Sequence, residues 1–102
     1  MNENEISEKI IGAAIEVHRI LGPGLLESGI KLGTDLRLDL LLEDKVIVDL
    51  KAREKLSPLD EPQLLTSLRL SEKHLGLIIN FHVKVLRQGI TRVVNKLPEE
   101  NT

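Results

Sequence analysis

The chain has no cysteine, no tryptophan and no tyrosine, and Phe81 is its one aromatic residue. Without cysteine there is neither a disulfide framework nor a thiolate metal site. A single aromatic side chain cannot form a stacking platform for bases, which excludes the usual single-strand binders and RNA-recognition sheets. No apolar run approaches the ~18 residues of a membrane span. The N-terminus is acidic and lacks a signal peptide's basic and apolar regions, so the expectation is a cytoplasmic protein with no membrane partner. His18, His74 and His82 show no zinc spacing such as HExxH and are read as surface or helix-flank residues.

What is present is a globular composition. The 102 residues are 41% hydrophobic and 29% charged, which fits one domain over residues 1–102 with a frayed tail at 96–102. The core must be built from Leu, Ile and Val. A net charge of −2 argues against a general nucleic-acid coat protein. Yet every charge between residues 73 and 96 is basic: Lys73, Lys84, Arg87, Arg92 and Lys96. That run is either a phosphate-facing patch or an ordinary solvated face.

The most informative stretch is residues 36–52, LRLDLLLEDKVIVDLKA. It reads as two short strands joined at Glu43-Asp44-Lys45. Leu38, Leu40, Leu42, Val46, Val48, Leu50 and Ala52 alternate along both arms. Side chains on a strand alternate faces with period two. Both apolar sets share a face only if the turn has an odd length, such as three residues, so that Asp39 pairs with Asp49 or sits in the same parity. A two-residue turn would set Leu38 against Asp49 and spoil the core face. The register therefore gathers Asp39, Asp49 and Lys51. Like charges directly opposite on a sheet repel, so neutralising either aspartate is expected to stabilise the metal-free protein. Two readings stay open. The face is solvated and carries Arg37, Asp39, Asp49 and Lys51 as surface charges, or the carboxylates hold a hard divalent cation.

The flanking segments complete an α/β pattern. Residues 3–21 predict an amphipathic helix with a stripe of Ile6, Ile10, Ala14, Val17 and Leu21, capped by Asn4 or Ser7 and ended by Gly22-Pro23. Glu27 follows in a short helical start, where a first-turn glutamate also suits the helix dipole. Asp60 reads as an N-cap with Gln63 at the capping-box position, opening a helix to about Leu70 with a Leu64, Leu65 and Leu68 stripe. LGLIINF at 75–81 predicts a strand covered on both faces. A strand, helix, strand sequence makes a crossover unit, so this strand should run parallel to 46–51. Residues 90–94 read as a final edge strand.

Asp39 followed by Asp49-Leu50-Lys51 resembles the D…(D/E)xK signature of the PD-(D/E)XK nuclease superfamily. More narrowly, the chain resembles the GxxExxR protein family. The matching stretches are EISEKIIGAAIEVHRILGPGLLES, KLG…RLDLLLEDKVIVDLKA and QLLTSLRL…LGLIINF…GITRVVN. Relative to that family, a helix–strand block between Ser28 and Gly29 is missing. Ile30 stands at the end of the eponymous motif, Asp49 replaces a glutamate, Ser67 replaces a tyrosine, and a histidine is replaced within Asp60-Glu61-Pro62. The resemblance implies a truncated restriction-endonuclease-like core: an N-terminal helix, the central β-hairpin, a crossover helix and one or two further strands. It implies a nuclease that hydrolyses phosphodiester bonds of nucleic acid with Mg²⁺ or Mn²⁺, or a degenerate descendant of one. Asp39 and Asp49 would hold the metal with the backbone carbonyl of Leu50, Lys51 would assist catalysis, and Glu27 would stand beside the site. Gln63, Arg87 and Arg92 are the residues read as contacting nucleic acid. The alternative is a non-catalytic interaction domain, in which an uncovered strand edge near residues 30–34 promotes a homodimer.

Overall fold

A computed structural model describes residues 1–21 and 37–97 of the chain. Helix α1 (Glu3–Leu21) is followed by strands β1 (Arg37–Leu42) and β2 (Val46–Lys51), helix α2 (Asp60–Ser71), strand β3 (Leu75–Asn80), a 3₁₀ turn (Leu86–Gly89) and strand β4 (Ile90–Val94). The strands form a mixed sheet in the order β1-β2-β3-β4. This is a small α/β architecture, consistent with a truncated restriction-endonuclease-like core. Neither described helix is long and apolar enough to cross a membrane.

The hairpin has the odd-length turn that its alternation demands. Residues 43–45 close it through Lys45 N–H donating to Leu42 O at 3.0 Å. Glu43 and Asp44 sit at φ 54° and 56°, the left-handed region that short polar side chains tolerate best. In the resulting register Leu40 faces Val48, Leu41 faces Ile47, and Asp39 faces Asp49. The connection through α2 brings β3 back parallel to β2, with Val48 beside Leu77 and Asp49 beside Ile78. β4 then returns antiparallel, with Leu77 beside Arg92 and Ile78 beside Thr91. An antiparallel pair can turn back through a short loop, whereas a parallel pair needs a crossover.

Each face of the sheet has its own cover. On one side Ile6 and Ala14 of α1 pack with Val46, Val48, Leu75, Leu77, Ile79 and Phe81. On the other, Leu64 and Leu68 of α2 pack with Ile78 and Val93, flanked by Ile47. β3 lies between both layers and every residue of it is buried, as a continuous apolar strand should be. Gly76 lets α2 approach, because a Cβ there would stand 2.8 Å from a Leu64 methyl.

Several local expectations are corrected. Asn2, not Asn4 or Ser7, caps α1: its Oδ1 accepts from Glu5 N–H at 2.9 Å, and Glu5 Oε1 accepts from Asn2 N–H at 3.3 Å. This is the reciprocal capping box. The stripe holds at Ile6 and Ala14, but its next buried position is His18, 5% exposed, while Val17 is 41% exposed. His18 Nε2 meets Val83 O at 2.6 Å, so an interior backbone carbonyl compensates burial of the ring. His74 is half-buried, its Nδ1 2.9 Å from Asn95 O, and His82 is half-buried too. The strand edge expected near residues 30–34, the position beside Ser28 where a block was expected to be missing, and part of the tail lie outside the described residues.

Candidate functional site

The period-two logic that pairs Asp39 with Asp49 also sends Ile47, Asp49 and Lys51 to the face covered by α2. The solvated reading of this face is thereby overturned at two of its residues. Asp49 is 2% exposed and Lys51 is fully buried. Asp39, on β1 at the outer side of the described sheet, remains exposed. A sheet edge is open to water while the neighbouring strand lies under the helix, so residues paired in register occupy different dielectrics.

A buried ammonium is stable only with anionic partners. Lys51 Nζ lies 3.2 Å from Asp49 Oδ2 and 3.1 Å from Asp60 Oδ1. Asp60, 4% exposed, also meets Arg53 Nη1 at 3.4 Å. Two carboxylates and two cations thus form a locally neutral group beneath the start of α2. Asp60 is not the helix N-cap. That position is Leu59, whose side chain makes no capping bond. Instead Asp60 Oδ2 turns back to accept Ser57 N–H at 2.7 Å. Burial alone would raise the Asp60 pKa, but the Lys51 ammonium, the Ser57 N–H and the charge of Arg53 together hold it below the ordinary carboxylate value. Gln63 makes no box either: its backbone N–H donates to Leu59 O at 3.0 Å and the residue is exposed.

Asn80 fixes this end of the sheet. Its Nδ2 donates to Arg53 O at 2.8 Å, while its Oδ1 accepts from Arg53 N–H at 3.0 Å and His82 N–H at 3.2 Å. The chain leaving β2 is therefore tied to the end of β3, which sets the start of Arg53's side chain. Neither Asp60 nor Asn80 was marked as a site residue by sequence reasoning. An aspartate opening a helix carries the same signal whether it caps forward or folds back, and a strand-end asparagine carries none.

Outside the buried group, Asp39 lines a groove of about 300 Å³ with Leu40, Leu41, Ile47, Ser67 and Ser71, between the hairpin and α2. Arg87 lies elsewhere. It joins His18, Arg19 and Lys84 along a groove of about 250 Å³ against α1, whose ionisable lining is all basic. Arg92 shares the α1 face with Leu77, and its guanidinium donates to Asn4 Oδ1. Neither arginine converges with Asp49 and Lys51. Lys73 is engaged by Asp44 at 3.0 Å. Glu27 lies outside the described residues.

The donor chemistry accommodates one kind of metal. Among the described residues no group of three or more His, Cys, Asp or Glu is placed to hold an ion. Two carboxylates in cross-strand register, one facing solvent, match the sparse protein coordination of Mg²⁺, which keeps several waters. They do not match a closed four-ligand structural zinc site.

The fold and the D…DxK register define a nuclease-type α/β core. The family model of the PD-(D/E)XK nuclease superfamily matches residues 28–93, well over half of the chain. The chain belongs to the PD-(D/E)XK nuclease superfamily. Comparisons with curated proteins and with solved structures gave no match.

Proposed function

We propose that the chain is a metal-dependent nuclease hydrolysing phosphodiester bonds of nucleic acid. The observation that carries this reading is the direct pairing of Asp39 with Asp49, with Lys51 two residues on along the same face. Asp39 and Asp49, with the Leu50 carbonyl between Asp49 and Lys51, would hold Mg²⁺ or Mn²⁺. When bound, such a cation lowers the pKa of a ligated water and offsets charge on the phosphate. Lys51 is enclosed beneath Asp49, so its charge acts on the phosphate through a low-dielectric path, where electrostatic effects are largest. The role given to it is electrostatic. The groove beside Asp39, with Ser67 and Ser71, is the approach we assign to the substrate. Gln63 at the exposed start of α2 is assigned to a backbone contact; Arg87, in the basic groove against α1, is set aside for that role. We place the chain with the GxxExxR proteins on the stretches quoted above, and assign Glu27 to the metal's periphery on the same ground.

The test is cleavage of single- and double-stranded DNA and RNA with Mg²⁺ or Mn²⁺, beside Asp49→Asn and Asp39→Asn. Metal-dependent cleavage lost in both variants supports the reading. Folded parent protein that neither cleaves nor binds Mn²⁺ overturns it. One observation favours a second reading as an interaction or oligomerisation domain: Leu40 and Leu41 on edge strand β1 are 38% and 50% exposed. An apolar edge invites pairing with another copy, and a homodimer on sizing would accompany loss of the catalytic reading.

A further inference from the structure

Asp60 is a third carboxylate that the metal chemistry does not use. It is 4% exposed, an unusual position for an aspartate that a first helical turn would normally leave in water. It is bound on both oxygens: Oδ1 lies 3.1 Å from Lys51 Nζ and 3.4 Å from Arg53 Nη1, and Oδ2 accepts Ser57 N–H at 2.7 Å. Lys51 is held between Asp60 and Asp49 at nearly equal distances. An ammonium shared between two carboxylates offsets the charge of Asp49 less than one held by Asp49 alone would. With only Asp49 available, the same ammonium would neutralise it and compete with any cation for that carboxylate.

We propose that Asp60 is a positioning residue: it draws Lys51 away from full pairing with Asp49, and so keeps the Asp49 carboxylate able to hold a divalent cation. The metal half of this inference rests on the nuclease reading; the hold on Lys51 does not. Asp60 touches no metal in this arrangement and acts through the lysine. Asp60→Asn is the informative variant, because an amide oxygen still accepts the Ser57 N–H and the turn before α2 is kept.

The experiment has two arms. In metal-free protein, the side-chain ¹⁵N resonance of Lys51 is followed by NMR, assigned with Lys51→Met. Asp60→Asn is expected to shift that resonance; an unmoved resonance overturns the proposal. The second arm measures Mn²⁺ affinity by titration in four proteins: parent, Asp60→Asn, Lys51→Met and the double variant. Asp60→Asn is expected to weaken Mn²⁺ binding about tenfold, ~1.4 kcal/mol. The effect should shrink markedly in the Lys51→Met background, where no ammonium remains to be released onto Asp49. Equal weakening in both backgrounds would mean that Asp60 contributes only its bulk charge, and the proposal fails. If the parent binds no Mn²⁺, the nuclease reading fails, and the claimed hold on Lys51 is decided by the first arm alone. If Asp60→Asn does not fold, the double variant decides. Folding restored by Lys51→Met shows that Asp60 serves the lysine, and failure of both overturns that role.

Discussion

The paired aspartates should respond to the same substitution in different ways. From the sequence, Asp39→Asn and Asp49→Asn are both expected to stabilise the metal-free protein by removing a like-charge contact. The structure separates them. Asp39 is exposed, and a charge change there is worth under about 1 kcal/mol, because water screens it. Asp49 is 2% exposed with Lys51 Nζ 3.2 Å from its Oδ2. Removing one partner of a buried pair costs about 3–5 kcal/mol when the other charge is left uncompensated. Here Lys51 keeps Asp60 at 3.1 Å, so the cost falls below that range, to about 2–3 kcal/mol. For a domain of this size each 1 kcal/mol moves Tm by about 4–8 °C, so Asp49→Asn should lower Tm by about 10–20 °C. Asp39→Asn should leave Tm nearly unchanged. The assay is a thermal or urea melt of the three proteins in EDTA, followed by the same melts with Mn²⁺. A rise in stability for metal-free Asp49→Asn would refute the buried pairing with Lys51.

Other consequences are open to direct measurement. Asp60 has a lowered folded-state pKa, so its stabilising contribution is complete above its unfolded value near pH 4 and is lost as pH falls through the folded value. Urea titrations should therefore show an acid loss of stability below about pH 4 that Asp60→Asn blunts. Gly89→Ala should be strongly destabilising, because its Cβ would stand 2.3 Å from the Asn80 backbone oxygen; a melt unchanged within about 0.5 kcal/mol would show that the turn before β4 relaxes freely. Leu68→Ala removes a fully buried side chain between α2 and the sheet and should cost about 2–5 kcal/mol by chemical denaturation. Arg92→Ala should leave any cleavage rate within about twofold of the parent, a factor worth only ~0.4 kcal/mol, since Arg92 lies on the face opposite Asp49.

The hairpin register was determined by sequence alone. Apolar alternation is a local property, and only an odd-length turn brings both arms' apolar sets to one face, so Asp39 and Asp49 had to share the other, and they pair directly. The apolar run that opens β3 and its parallel partner follow from equally local signals, as do the apolar stripe of α2 and the membership in the superfamily. Tertiary structure decided what each polar residue experiences. Asp39 and Asp49 are equivalent in the alternation, yet α2 lies over β2 and leaves the edge strand open, so one is wet and the other dry. Lys51 looked like a surface lysine or a catalytic one, and its complete burial depends on a carboxylate brought from a different element. Asp60 read as a cap because a cap and a fold-back both use a short acceptor near a helix start; only the approach of β2 determines which donors it meets. His18 took the interior place expected for Val17 because Val83 O lay within reach of its ring, a contact between residues 65 apart that no local pattern encodes.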